Sequence, residues 1–541
     1  MEKAYWPNPT PENRRDRETY MHRHLILALL AALAAPAAAA QPLTVATASP
    51  PTSADPHFYN LMPNNALAAH VFDRLVHQDA RQNLVPGLAT RWTPLSDTTW
   101  EFTLREGVRF TDGMRFTAAD VIASLARAPD VTGSPGSFAQ FLRGITSVEA
   151  RGDHTVVITT GSPNPLLPND LSLVSIIPAR FRNASGEAFR TGEAAIGTGP
   201  FRLVRFTPGQ GATLARNPDH WAGAPPWGAV TLRVIPDDGA RVAALAAGDV
   251  DVVEGVPSAL RGVLERQPGV RLWSTASNRL VFLSFDVARE VTPFATDAAG
   301  RPLATNPLQD ARVRRAVSLA VDREALAERL MGGGARPAGG VLPPGFFGVS
   351  DALRPDRQDL GAARALLAEA GLPTGFRLTL HGSNNRFPDD EKVLQAVAGM
   401  LTRAGIASRA EPMPYSVLVS QGGPPVYAYS AMLFSFGANT GEASSPLRSL
   451  VATVDRAAGL GAGNRGRYSN LGFDALLQHA MTTVEPEARR ALLERAGELA
   501  VRDAAIVPLL FLVSLWATRD GLAYEPRADE WTLAQFVTPR P

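Results

Sequence analysis

Cysteine is absent from all 541 residues of the chain. This absence excludes disulfides, thiolate metal ligands, cysteine nucleophiles and a lipid anchor on an N-terminal cysteine. The nine histidines are scattered, and neither His-Glu-x-x-His nor Gly-x-Ser-x-Gly occurs. The stretch Gly461–Gly466 matches Gly-x-Gly-x-x-Gly but does not follow a strand and open a helix, so we interpret it as a loop. The sequence therefore contains no recognisable enzyme active site. A hydrolase is kept only as an alternative.

The chain also lacks an excess of either charge. It carries 53 Lys and Arg against 52 Asp and Glu, a formal net charge of +1. This balance gives no electrostatic reason to expect nucleic acid or an anionic membrane as a partner. The hydrophobic share of 45% is that of a globular protein, and the length predicts about three domain-sized units. Clefts between such units are the usual place for a ligand.

Long apolar runs are missing as well. The strongest, Leu25–Leu33, is shorter than the roughly 20 residues that span a bilayer. A short basic segment, Met21–His24, precedes it, and small residues ending at Ala40 follow, as in a secretory signal peptide. We predict a signal peptide over 21–40 with cleavage after Ala40 and a periplasmic, not lipid-anchored, product; the alternative is a buried helix. Residues 1–20 are interpreted as an upstream extension, with Met21 as the start.

Beyond the N-terminus, segments of strand and helix character alternate, which predicts an α/β architecture. A hairpin is predicted from Trp100–Leu104 and Val108–Phe110, and a long helix over Asp310–Leu330. The runs Leu280–Phe285 and Ile506–Val513 are almost entirely apolar, which is typical of strands buried on both faces. Thr117 and Asp120 have the spacing of a helix-capping box.

Six blocks of the chain resemble, in order, the extracellular solute-binding family that serves peptide, nickel and opine importers of the ATP-binding cassette type. The longest block, Asp97–Val121, contains Trp-x-Phe-x-Leu-Arg, then Gly-Val-x-Phe, Asp-Gly and Phe-Thr-Ala-x-Asp-Val. The other five are Gly197–Phe201, Arg216–Trp221, Ile235–Arg241, Asp310–Arg323 and Tyr468–Asp474. Together the blocks extend the resemblance over essentially the whole chain after Ala40.

The resemblance implies a three-lobe fold of the periplasmic binding protein type, cluster C, with the ligand between lobes I and III. Hinge closure would then enclose the ligand. Because the chain crosses between these lobes twice, Leu280–Phe285 and Ile506–Val513 are the predicted hinge strands. The implied bounds are 41–72, 195–285 and 505–541 for lobe I, 73–194 for lobe II and 286–504 for lobe III.

The same resemblance implies the role of a substrate-binding component that hands a small solute to permease subunits in the inner membrane. It implies neither a catalytic site nor a cofactor, and a monomer suits the open-and-close mechanism. An alternative is a protein that binds the same ligand for a sensor rather than an importer.

Peptide-binding relatives hold the peptide amino terminus with an aspartate in the third lobe, since an unpaired buried ammonium is costly. In this chain the matching position is Asn439, which is neutral and cannot balance a cation. Glu442, three residues on, is the candidate substitute; the alternative is a turn with an exposed charge. Phe436 and Thr440 belong to the same candidate segment.

Further candidates lie in two other loops. Asn385, Arg386 and Phe387 precede a helix, and Arg386 is able to pair with a ligand carboxylate in a fork. Phe387 is a candidate to stack on the ligand, although an aromatic side chain is equally at home in a core. Tyr59 and Asn60 follow the first strand and are the candidates from lobe I.

The ligand class stays open at this stage. An oligopeptide, a dipeptide or a glutathione-like solute fits the family, whereas the neutral Asn439 favours an opine or an oligosaccharide. A metal chelate is a further alternative, because nickel importers use the family. Direct metal binding is not predicted, because His57, His70, His77 and His381 lack ligand spacing and no metal-ligand motif occurs. A helix is predicted over Asn65–Val76. On one helical face, His70 and His77 would lie two turns apart, which is too far for both to bind one ion.

Overall fold

The computed structural model describes residues 41–540, so the predicted signal peptide and upstream extension lie outside the described residues. A 12-stranded sheet runs through this part of the chain, beside a separate four-stranded sheet and two two-stranded hairpins. Helices and strands alternate along the chain, which confirms the predicted α/β class.

Two long antiparallel strands, Val270–Phe285 and Val507–Arg519, lie at the centre of the large sheet. Their register shifts between Ala276 and Leu280, which marks a β-bulge in the first strand. On the N-terminal side of the bulge in the first strand, the two strands border one half of the large sheet. On its C-terminal side, they border the other half. The predicted apolar strands are therefore present, and each continues beyond its predicted bounds into the first half.

The first half of the sheet, as we call it, contains the strands Pro42–Thr47, Phe201–Thr207, Gly211–Arg216, Ala229–Val234 and Val252–Glu254. The second half contains Ala295–Thr296, Ala335–Pro337, Phe376–Ser383, Ile406–Met413 and Ala431–Gly437. The helices of eight or more residues are Met62–Val71, Ala118–Arg127, Asp238–Ala247, Ala311–Ala320, Leu360–Glu369, Asp390–Arg403, Tyr415–Gly422, Leu471–Thr482 and Pro486–Arg502.

The small sheet has the order Ala89–Ser96, Thr99–Leu104, Thr155–Thr160 and Ile145–Ala150. The predicted hairpin between Trp100–Leu104 and Val108–Phe110 is wrong, because 99–104 pairs with 89–96 and with 155–160 instead. Val108 and Phe110 are nevertheless buried in the core of this sheet. The alternation identified the inward side chains correctly. Of the two strand partners, 89–96 directly precedes the strand, whereas 155–160 pairs with it from 52 to 60 positions away.

The small sheet and the two halves of the large sheet have separate hydrophobic clusters. One cluster, from Leu75 to Ile176, fills the small sheet, and another packs on the first half around Val45, Phe201 and Trp516. Two clusters cover opposite faces of the second half. These clusters are consistent with the three lobes implied by the resemblance, and the individual lobe bounds remain a prediction.

The helix predicted over Asp310–Leu330 is divided. Ala311–Ala320 is α-helical, Val321 is extended, and Ala325–Leu330 forms a π-helical turn. Arg323 explains the break, since its buried guanidinium donates to the Ser318 and Pro508 carbonyl oxygens at 3.0 and 2.9 Å. No helix among residues 41–540 has both the length and the apolar character needed to cross a membrane.

Candidate ligand-binding cleft

A buried ion pair positions the loop that follows the first strand. Both carboxylate oxygens of Asp55 accept hydrogen bonds from the Arg127 guanidinium, at 2.8 and 2.6 Å. His57 lies in the same cluster, where burial and the nearby Arg127 cation lower its pKa to about 4. The neutral ring donates from Nε2 to the Ser175 carbonyl oxygen at 2.8 Å. The loop is thereby fixed to the small-sheet part of the protein.

This anchored loop carries Tyr59 and Asn60, both half-buried. The Asn60 backbone N–H donates to the Gly136 carbonyl oxygen at 3.0 Å, and its side-chain oxygen accepts from Asn65 at 2.8 Å. A Cβ atom on Gly136 would lie 2.6 Å from the Tyr59 ring, so only glycine allows this approach. Tyr59 and Asn60 therefore lie where the first half of the sheet meets the small-sheet part.

The loop that follows the strand Ala431–Gly437 contains the predicted residues Asn439 and Thr440. Side chains from distant parts of the chain bind its backbone. The Asn439 carbonyl oxygen accepts a hydrogen bond from the Gln82 amide at 3.1 Å, and the Thr440 carbonyl oxygen accepts one from the Asn169 amide at 3.1 Å. The Asn439 side chain is exposed and makes no hydrogen bond within residues 41–540. It is thus available to a solute, as a neutral donor and acceptor.

Glu442 is engaged within the protein. Its carboxylate accepts two hydrogen bonds from the Arg489 guanidinium at 2.6 and 2.7 Å and one from Ser444, and its side chain is 1% exposed. A fork of this kind satisfies both oxygens. The carboxylate that the sequence offers in place of the missing aspartate is therefore already neutralised by Arg489.

The loop 384–387 lies against the start of the helix Tyr415–Gly422. Asn385 accepts a hydrogen bond from the Tyr415 backbone N–H at 2.8 Å, and the Arg386 guanidinium lies 4.8 Å from the centroid of the Tyr415 ring. Arg386 is exposed, whereas Phe387 is buried in the core of the second half. Phe387 thus packs in the core, and Phe436 is half-buried between two clusters of the second half.

The sequence did not predict an ion pair that lies at the bulge. Arg279 donates to Glu530 at 2.8 Å, and both side chains are largely buried. Burial lowers the pKa of Arg279, but the Glu530 carboxylate raises it by more, so the guanidinium stays charged. A Cβ on Gly437 would lie 3.7 Å from this guanidinium. Because 251 residues separate the partners, only the folded chain reveals the pair.

Two cavities lie in this part of the protein, and one of them is lined by Gly441 and Glu442 of the 436–442 loop. One of about 710 Å³ lies at the bulge, between Thr275 and Phe511 of the long strands and the proline-rich segment 337–355. None of the nine predicted residues lines it. The other, of about 270 Å³, lies between the small sheet and the second half, and its lining includes Glu442 and Arg489.

No group of three or more metal-ligand side chains occurs within residues 41–540. The helix predicted over Asn65–Val76 instead spans Met62–Val71, so His70 is helical while His77 belongs to the strand Val76–Gln78. His70 donates from Nδ1 to the Ala66 carbonyl oxygen and accepts at Nε2 from the Ala534 backbone N–H. Both of its ring nitrogens serve the structure.

The two joined sheet halves, the bulged pair of strands between them and the separate small sheet define an extracellular solute-binding protein of the three-lobe type. The sequence profile of the bacterial extracellular solute-binding proteins, family 5 Middle, matches residues 83–457. The chain belongs to this family. It is the substrate-binding component of an importer of the ATP-binding cassette type, and its relatives are binding proteins rather than enzymes.

Individual relatives support the assignment over nearly the full length. The chain is 28% identical over 501 residues to the glutathione-binding protein GsiB of Escherichia coli strain K12, covering 91% of this chain and 93% of that protein. Its fold is similar to that of HbpA2 from Haemophilus parasuis, with a TM-score of 0.79 and 22% identity over 93% of this chain and 100% of that one. It is also similar to DppA of Helicobacter pylori in complex with the peptide STSA, with a TM-score of 0.71 and 22% identity over 92% and 98% of the two chains.

Proposed function

We propose that this protein captures a short, peptide-like solute bearing carboxylate groups, of the glutathione type, and encloses it by rotation about the bulged strands. The proposed closure is supported by the register shift between Ala276 and Leu280. This shift lies where the two central strands pass from one half of the sheet to the other. A bulge bends and twists a strand locally, so the change of angle is concentrated there.

The proposed ligand class is inferred from two exposed side chains, Arg386 and Asn439, that are available to bind a solute. Arg386 is exposed and has no carboxylate partner within 4.0 Å among residues 41–540. It is therefore free to take a ligand carboxylate in a bidentate fork. Asn439 offers a neutral donor and acceptor on the other exposed loop. The glutathione-binding relatives, 28% identical over 501 residues, agree with a small solute that carries carboxylates.

Calorimetry and thermal shift on the mature chain from Gln41 test the ligand class. The panel holds glutathione, di- to pentapeptides, an opine, an oligosaccharide and a nickel–histidine chelate. A true ligand at about 100 times its dissociation constant stabilises the protein by roughly 2.7 kcal/mol. We expect glutathione to respond and the Arg386→Gln variant to bind it at least ten times more weakly. The control Arg502→Gln, which changes an exposed arginine of the helix Pro486–Arg502, is expected to bind normally. A silent glutathione with a responding neutral solute would reject the proposal.

A second candidate, a non-peptide solute such as an opine, has one specific observation in its favour. Asn439 cannot balance an ammonium group, and the nearby Glu442 is already paired with Arg489. A solute without a free amine therefore avoids an unpaired buried cation. The same panel separates the candidates, because an opine response with silent free-amine peptides supports this one.

We also propose that the chain is exported by the signal peptide 21–40, cleaved after Ala40, and works as a periplasmic monomer beside permease subunits of the inner membrane. The small-residue stretch before Gln41 and the family membership support this location. N-terminal sequencing of protein from the periplasm is expected to begin at Gln41, and sequencing that begins at Met1 or Met21 would reject the export route.

A further inference from the structure

A third cavity lies between the first half of the sheet and the small-sheet part. Its volume is about 330 Å³, and it shares no lining residue with the cavities at the bulge and at Glu442. Trp221, Trp531, Phe72 and Phe536 supply apolar walls. The space is large enough for a compact aromatic molecule.

Most charged groups in its lining already have partners. Arg527 is paired with Asp529 at 2.6 Å. Asp73 accepts hydrogen bonds from Thr198 and Trp221, each at 2.8 Å, and lies 3.2 Å from Nε2 of His77. Burial raises the pKa of the Asp73 carboxyl, but the nearby rings of His220 and His77, with Nε2 atoms 3.8 and 3.2 Å from its oxygens, lower it by more and hold it well below its usual range. The anionic side of the cavity is thus fully compensated.

Arg74 is the exception. It is 6% exposed, and no carboxylate oxygen lies within 4.0 Å of its guanidinium among residues 41–540. Among the described residues, the only hydrogen bond of the guanidinium runs from Nη2 to the Asn65 carbonyl oxygen at 3.3 Å, and Nε is buried without a partner. The guanidinium lies 5.0 Å from the centroid of the Trp531 ring, which forms one wall of the cavity.

A buried cation without a directly paired anion is costly. Burial lowers the pKa of Arg74 to about 10, although the Asp73 and Asp529 carboxylates, both beyond 4.0 Å, act to raise it. The group still carries its charge at neutral pH. One other buried polar atom in the lining, Oε1 of Gln535, also lacks a hydrogen-bond partner, whereas Nε2 of His220 lies 3.8 Å from an Asp73 carboxylate oxygen. Nδ1 of His220 lies 3.2 Å from the Gly223 carbonyl oxygen and donates to it. Unsatisfied polar atoms around an aromatic-walled space are features of a ligand site.

We infer that this cavity is a second binding site, which takes a small aromatic carboxylate with its carboxylate group on Arg74 and its ring between the Trp221 and Trp531 walls. The carboxylate supplies the anion that Arg74 lacks, in the fork geometry that a guanidinium favours. The ring replaces water against the tryptophan and phenylalanine side chains. The site shares no lining residue with the other two cavities, although its lining residue Gln78 lies 3.5 Å from the Asn439 carbonyl oxygen. The inference does not depend on the proposed function.

Fluorine NMR of 4-fluorobenzoate with the mature protein tests the site, and 4-fluorobenzamide serves as the neutral probe of the same shape. We expect saturable broadening of the 4-fluorobenzoate signal and at least tenfold weaker binding of the amide. Arg74→Gln is expected to weaken 4-fluorobenzoate binding at least tenfold. Arg105→Gln is the matched control, because Arg105 lies 4.1 Å over the Trp221 ring but does not line the cavity.

A second variant covers the case in which Arg74→Gln does not fold. Ala222 is an exposed lining residue, so Ala222→Trp obstructs the cavity and leaves Arg74 in place; it too is expected to abolish binding. Arg386→Gln in the cleft is expected to leave 4-fluorobenzoate binding unchanged. Equal binding of acid and amide, normal binding by Arg74→Gln and Ala222→Trp, or loss of binding in Arg386→Gln would each overturn the inference.

Discussion

Glu442 and Arg489 show how burial decides the role of a charged residue. The sequence presents Glu442 as a candidate partner for a ligand amine, whereas the fold places it 1% exposed in a fork with Arg489. Removing one partner of such a pair leaves the other charge buried and unpaired, which costs far more than the pair contributes in net stability.

We therefore expect Glu442→Gln to lower the free energy of unfolding by about 3–5 kcal/mol, measured by urea denaturation. The double variant Glu442→Gln with Arg489→Met is expected to recover much of that loss, because no charge then stays unpaired. The exposed pair Lys392–Asp389 is the control, and Lys392→Met is expected to cost less than about 1 kcal/mol. A Glu442→Gln variant of normal stability that no longer binds solute would instead place Glu442 in the binding site.

His70 makes a pH-dependent contribution at the same scale. Burial lowers its pKa to about 4 from 6.5, so between these values the unfolded chain binds a proton that the folded chain does not. The contribution of His70 is therefore complete above pH 6.5 and is lost progressively as the pH falls towards 4. The size of the shift corresponds to about 3 kcal/mol at most.

Urea denaturation of wild type and His70→Gln at several pH values isolates this contribution. Glutamine keeps one donor and one acceptor for Ala66 and Ala534 but does not titrate. The stability difference between wild type and variant is expected to shrink as the pH falls from 6.5 to 4. A difference that is constant over this range would contradict the assignment.

At the scale of elements, the helix Ala118–Arg127 depends on Asp120. The Asp120 carboxylate accepts from the Thr117 backbone N–H at 2.8 Å, and so confirms the predicted capping box. Its other oxygen accepts from the Ala179 backbone N–H at 2.8 Å, a contact that the sequence did not indicate. One side chain thus caps the start of the helix and binds the backbone 59 residues further along the chain.

We expect Asp120→Ala to cost at least the 1–2 kcal/mol of a lost helix cap, with a further loss from the unpaired Ala179 N–H. Asp130→Ala, at an exposed position beyond the same helix, is the control and is expected to stay within about 0.5 kcal/mol of wild type. Urea denaturation measures both variants. A cost of Asp120→Ala below 1 kcal/mol would mean that water replaces the carboxylate at both backbone groups.

At the scale of the whole molecule, the proposed closure is a change in distance between the two halves of the large sheet. The absence of cysteine allows fluorescent labels to be placed at two introduced cysteines without background. Val204 is 60% exposed in the first half, and Leu471 is 84% exposed on a helix packed against the second half.

Energy transfer between labels at Val204→Cys and Leu471→Cys is expected to change when a saturating ligand is added. The pair Val204→Cys and Val263→Cys is the control, because Val263 is also exposed and its helix packs on the first half. That pair is expected to show no change. A ligand that binds without altering the first pair would show that capture occurs without rotation of the halves.

The sequence by itself determined the α/β class, the strands buried on both faces, the capping box and the family. Each of these depends on local periodicity, on a short spacing such as Thr117 to Asp120, or on ordered blocks of residues. Local patterns record which side chains point inward, because burial is repeated along a strand or helix. The resemblance to the family supplied the candidate Asn439, and Arg386 was a candidate from its loop; both side chains are exposed, and their role in binding remains a prediction.

Only the tertiary structure decided the strand partner of Thr99–Leu104, the break after Ala320, the fork between Glu442 and Arg489, and the pair Arg279–Glu530. It also left Arg74 without an anion beside a cavity. These features join residues that are tens to hundreds of positions apart. No local propensity encodes such a pairing, since the free energy of a buried charge or of a strand register depends on the groups that the completed fold brings beside it.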